Sequence, residues 1–204
     1  MVANPVTTVI DACILCSPLK RGIILSLAEA ELLRVHWSDE ILDETEKAIA
    51  TILSKRDYAD AAERAAQARM LMQQAFAEAS VVNYAHLGEG IGKLPDEGDR
   101  HVIAAAIESG ADIILTENLR DFPRKVLAKY GIEAKSCDRV VADAIELSPS
   151  LAIGAFQRML QRLDKPEKRA QTLLMDMQKS GLTQAAKQLG VRVAGSITTL
   201  PTLP

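Results

Sequence analysis

The chain has 204 residues, 48% of them hydrophobic and 25% charged, and a formal net charge of −3. This describes a globular protein able to bury a core. No run of about 18 apolar residues occurs, and no basic segment leads into an apolar one near the N-terminus, so neither a membrane span nor a signal peptide is expected. The expected location is cytoplasmic. Cys13, Cys16 and Cys137 lack zinc-site spacing, and the lone C-x-x-C lies among aliphatic residues, so buried thiols are expected. Charge is uneven: residues 1–154 hold 16 basic and 24 acidic side chains, residues 155–204 hold 8 and 3. A basic tail suits nucleic-acid contact and equally a solvated helical surface.

In chain order, Val6-Thr7-Thr8-Val9-Ile10 reads as a buried strand with Asp11 at its carboxyl end, where open parallel sheets bind ligands. Ile23 to Leu33 reads as a helix, Arg34 to Trp37 as a short strand, and Ser38 as the N-cap of a helix running to about Leu53. On that helix Glu44 and Glu46 flank opposite edges of the apolar stripe, so periodicity alone does not choose between them. Residues 57–80 suggest one or two helices, Ser80 to Tyr84 a brief strand, and Leu87 to Pro95 a flexible glycine-bearing loop.

Next, Asp96 can cap a helix ending at Gly110, and Asp99 falls on the apolar stripe of that helix, in line with Ala106 and Ile107. A carboxylate there must be neutralised, paired or bound to metal. A capping pair between Asp96 and Asp99 is the plainer alternative. Ala111 to Leu115 reads as a buried strand, followed by the polar run Thr116 to Pro123. A short helix (Arg124 to Tyr130), a last strand (Ile132 to Ser136) and a helix capped by Asp138 complete the α/β pattern at about Leu147. Three helical patterns follow, near 150–163, 166–179 and 182–190. Leu182 to Val191 is similar to the first half of a helix-turn-helix, although Ala194 to Pro201 makes a poor recognition helix.

Asp11, Asp99 and Asn118 thus share one sheet edge, and Glu44 can reach it from the side. Oxygen ligands without a Cys or His cluster suit Mg²⁺ or Mn²⁺, and such ions suit phosphodiester hydrolysis. Four stretches, Val9 to Leu15, Trp37 to Glu44, Asp96 to Val102 and Leu115 to Pro123, resemble in order the four motifs of PIN-domain nucleases, most closely those of VapC-type toxins. The resemblance implies an α/β fold, a PIN-like parallel sheet flanked by helices over residues 1–147, with a small all-helical C-terminal extension over 148–204.

The resemblance further implies a metal-dependent endoribonuclease, with Asp11, Glu44 and Asp99 holding Mg²⁺ or Mn²⁺ and Asp96 close by. It places Asn118 at a fourth position that is usually acidic, where Asp121 would compensate. Thr116 would orient a ligand or water. Arg120 and His101 stand near enough in sequence to reach phosphate, and either also suits a plain surface position. An RNA substrate, a cognate antitoxin and a homodimer are likewise implied. The alternatives are a non-catalytic PIN-fold module binding RNA or protein, and a phosphotransfer domain using Asp11, which lacks the D-x-D-x-T/V pattern. With aromatic residues at 3%, stacking platforms are scarce and recognition of RNA shape and backbone is expected.

Overall fold

All five residues of Val6–Ile10 are β-branched, which suits a strand covered on both faces. They form β1, an inner strand of the sheet in this computed structural model, which describes residues 4–162 and 169–197. β2 (Leu33–His36), β3 (Ile113–Leu115) and β4 (Glu133–Lys135) complete a four-stranded sheet of order β2-β1-β3-β4, parallel throughout. Val9 lies between His36 and Ile114, and Ile10 pairs with Leu115. Asp11 and Thr116 therefore leave adjacent strands side by side, with the Asp11 amide donating to the Leu115 carbonyl.

The helices are α1 (Ala12–Leu15), α2 (Pro18–Glu29), α3 (Asp39–Ser54), α4 (Ala61–Ala75), α5 (Arg100–Glu108), α6 (Arg124–Leu127), α7 (Cys137–Leu147), α8 (Pro149–Gln161), α9 (Arg169–Lys179) and α10 (Thr183–Ile197). None among the described residues is long and apolar enough to cross a membrane. Two compact units result: one takes Met1–Arg21 and Leu33–Ser136, the other Gly22–Leu32 and Cys137–Pro204.

In the first unit α5 packs on β1 and β3, and α3 on α1 and α4. Val9, Ile10, Ile14, Ile41, Val102, Ile103 and Ile114 are fully buried. Trp37, 1% exposed, meets Phe76 edge to face at 6.1 Å. Ser38 caps α3 by accepting from the Ile41 amide. The expected strand at Ser80–Tyr84 is reduced to one parallel bridge between Trp37 and Ser80, because Asn83 turns the chain with a φ of 61°.

The Leu87–Pro95 segment is not the floppy loop expected. Its first part winds into 3₁₀ turns (Ala85–Gly90), and the Arg100 guanidinium donates to the carbonyls of Gly88, Ile91 and Gly92 at 2.9, 2.7 and 3.4 Å. Tyr130 adds a hydrogen bond to the Gly90 carbonyl.

In the second unit α7 packs on α8 and α10, and α10 on α9. Asp138 does not cap its own helix. It lies in the first turn of α7, and its carboxylate accepts the Gln184 and Ala185 amides at 3.1 and 2.9 Å, capping α10 from outside. α10 itself runs unbroken past Gly190 to Ile197, so the likeness of Leu182–Val191 to the first half of a helix-turn-helix does not extend to a turn and a second helix over the described part, in line with the poor recognition helix read at Ala194–Pro201; residues 163–168 and 198–201 lie outside the described residues.

Candidate active site

Asp11 follows β1 directly and is 4% exposed. A carboxylate so deep needs donors, and its Oδ2 receives two, the Thr116 hydroxyl at 2.6 Å and the Cys13 thiol at 3.0 Å. Thr116, fully buried at the end of β3, also accepts the Asn118 amide at 3.0 Å, so its hydroxyl proton is aimed at Asp11. Cys13 receives the Glu117 amide at 3.3 Å. Burial, with the Asp11 charge beside it, pushes the Cys13 thiol up to about 12, so it stays a thiol and a donor. Cys13 and Cys16 are half-buried rather than buried; Cys137 alone meets the expectation of a fully covered thiol.

Asp99 stands between the 3₁₀ turn Glu97–Asp99 and α5. Its side chain caps nothing; Asp96 does the capping, accepting the Gly98 amide at 2.8 Å. The capping pair is thereby reduced to one member, and Asp99 is left facing other acids. Burial first, then the charges of Asp11, Asp96, Asp121 and Glu44, raise its carboxyl to about 6. Burial likewise raises Glu44, with Asp11 and Glu40 adding and His101 opposing.

The choice between the two glutamates of α3 is resolved by geometry. Glu44 Oε2 lies 3.7 Å from His101 Nε2 on the acid side, whereas Glu46 pairs with Arg69 of α4, which also holds Asp39 and Asp43. Asp11, Glu44, Asp96 and Asp121 therefore all act on Asp99, and Asp11 acts on Glu44 as well. Asn118 and Arg120 are exposed on the turn after β3. Asn118 contributes its main chain to Thr116.

Lys20 and Arg100 were not foreseen, and His101 was expected either to reach phosphate or to take a plain surface position. His101 is 13% exposed, not a plain surface residue; its Nδ1 donates to the Gly98 carbonyl at 2.9 Å, and its buried Nε2 has no hydrogen-bond partner among the described residues. Lys20 reaches Glu117 at 2.7 Å. Arg100 ties down the neighbouring loop. For Arg100 the one hint in the sequence is its spacing three residues after Glu97, with which it makes an ion pair.

A divalent cation fits this donor set. Mutually repelling carboxylates at a strand end, with an orphaned imidazole nitrogen facing one of them, call for positive charge. Among the described residues no three His, Cys, Asp or Glu side chains stand close enough together to hold an ion between them. That is compatible with Mg²⁺, which keeps several waters and takes one or two carboxylates rather than an all-protein cage.

A family model described as PIN domain matches residues 7–120, and one described as VapC50 C-terminal domain matches residues 137–191. Over 49 residues the chain is 43% identical to a Mycobacterium tuberculosis (strain ATCC 25618 / H37Rv) protein named "Putative ribonuclease VapC50". That stretch is 24% of this chain and 29% of the relative, so less than a third of the relative's length is matched. No solved structure matches. The first model takes in more than half of the chain, with Asp11, Glu44, Asp96, Asp99, Thr116 and Asn118 inside it and Asp121 just beyond. The chain belongs to the PIN-domain family and is of the VapC type, the PIN domain being followed by a VapC50-type C-terminal domain.

Proposed function

We propose that this protein is a metal-dependent endoribonuclease, the toxin of a toxin–antitoxin pair, which hydrolyses RNA phosphodiester bonds. The observation that carries the reading is the placement of Asp11, buried just after β1 and held by the Thr116 hydroxyl, with Asp99 set among Asp11, Asp96, Asp121 and Glu44, whose charges raise its carboxyl. Acids forced together at the carboxyl end of parallel strands suit chemistry on an anion only with a cation between them.

Asp11, Glu44 and Asp99 are the residues that would hold Mg²⁺ or Mn²⁺, which would neutralise phosphate charge and lower the pKa of the attacking water. Thr116 and Cys13 fix the Asp11 carboxylate so that one oxygen is occupied by donors and the other remains available. Asp96 holds the turn that presents Asp99. Asp121 supplies the negative charge that Asn118 lacks, since its charge acts on Asp99. A cognate antitoxin, a homodimer and a cytoplasmic location belong to the same proposal.

The test is cleavage of total RNA by purified protein in Mg²⁺, Mn²⁺ or EDTA, with Asp11→Asn and Asp99→Asn alongside. Cutting that needs the metal and falls at least a hundredfold in both variants is expected. Cutting that persists in EDTA or in the variants would overturn the assignment, and no cutting by clean protein would favour the non-catalytic module.

A further inference from the structure

Beside the acid cluster the first unit carries a cavity of about 280 Å³, lined in part by Glu40, Tyr84, Gly88, Gly98, Arg100 and His101. It adjoins the proposed reaction centre through His101, whose ring nitrogens lie 3.7 Å from Glu40 Oε2 on one side and 3.7 Å from Glu44 Oε2 on the other. A group in this cavity would thus lie one side chain away from a phosphate at the acids.

The wall is preformed. Arg100 donates to the Gly88 and Ile91 carbonyls, and its Nε holds Glu97 at 2.9 Å. Glu97 in turn accepts the Leu94 amide at 3.1 Å. A glycine-bearing loop fastened at so many points presents a fixed surface, and fixed surfaces discriminate between ligands.

The lining chemistry selects the occupant. The volume is at the small end for ligand sites, which run from roughly 300 Å³ upward, and suits one base rather than two. Tyr84, one of the chain's three tyrosines, offers a ring to an unstacked base. Glu40 offers a carboxylate, an acceptor-only group with two oxygens, which stands beside the Tyr84 hydroxyl and His101 Nδ1. Guanine alone among the four RNA bases presents two adjacent N–H donors on its Watson–Crick edge, which a carboxylate takes together.

We infer that this cavity is the subsite for a guanine base of the RNA beside the scissile phosphate, with Tyr84 as its stacking face and Glu40 as its edge reader. The inference rests on the ribonuclease reading and departs from the expectation of recognition by shape and backbone alone.

Two readouts separate the inference from that reading. In the first, cut sites in total RNA are mapped for the wild type, Glu40→Gln, Tyr84→Leu and Tyr84→Phe. The wild type should favour guanine at one flanking position. Glu40→Gln should reduce that preference about tenfold, the scale of one bidentate base contact. Tyr84→Leu should lower cutting about tenfold or more at all sites, and Tyr84→Phe should restore it. In the second, binding of guanosine and adenosine monophosphates in EDTA is followed by saturation-transfer NMR, with guanosine favoured by the wild type and not by Glu40→Gln. Metal-dependent cutting with no base preference, or a preference unmoved in Glu40→Gln, would overturn the subsite and leave the nuclease standing. Guanosine binding by a protein that cuts nothing would do the reverse.

Discussion

Asp99 shows how burial and like charge combine at one residue. Its folded carboxyl titrates near 6 against an ordinary 3.8, so the folded state holds a proton that the unfolded chain releases. The contribution of this group to stability is complete below about pH 4 and is lost as pH rises through about 6. In EDTA the melting temperature is therefore expected to fall across that interval, to fall less in Asp99→Asn, and to recover at neutral pH on adding Mg²⁺ to the wild type; thermal melts with and without the ion check all three. Thr116→Val removes a donor from buried Asp11 and should cost about 1–3 kcal/mol in urea unfolding. Asp11 and Asp99 were legible in the sequence because an acid at a strand end or on an apolar stripe breaks a pattern. Glu44 was legible only as one of two candidates, since a helical wheel does not show that Arg69 claims Glu46. Cys13, Glu40, His101 and Arg100 were not legible as a group, because what they do depends on partners brought close only by folding.

At the level of the element, strong patterns survive and ends shift. The β-branched run became β1, Ser38 capped α3, and Gly110, at a φ of 62°, closes the turn after α5 as expected of a residue without a Cβ. α2 begins at Pro18, five residues before its apolar periodicity starts, because proline at the first helical position costs no hydrogen bond. Its other end carries a residue of the wrong kind. Glu31 has a φ of 58°, with the Leu32 amide donating back to the Leu27 carbonyl at 3.1 Å, an arrangement that ordinarily selects glycine. Glu31→Gly should raise stability by about 0.5–1 kcal/mol, measured by urea unfolding. Asp138 was assigned to the wrong helix, since it lies in the first turn of its own α7 whereas α10, whose amides it accepts, begins far downstream. Local capping rules do not see across such a distance.

For the molecule as a whole, the feature least visible in the sequence is that one compact unit joins Gly22–Leu32 to Cys137–Pro204. A linear reading places residues 22–32 with the strands beside them, because periodicity reports that a face is apolar and not what covers it. A chain cut after Ser136 would keep Ile23, Ile24 and Leu27, which are at most 1% exposed in the full chain, and would lose the rest of their unit. Such a fragment is expected to bind a hydrophobic dye and to form aggregates larger than a dimer, while the full chain does neither; dye fluorescence and sedimentation velocity distinguish them. The same joining orders events in time. At about 5–20 residues per second of synthesis, residues 22–32 are made several seconds before residue 137, so their unit closes only near the end of translation. Premature termination anywhere in the C-terminal helices would therefore leave an early helix without its completed unit, and quality control would meet a truncated product through that N-terminal segment rather than through the missing end.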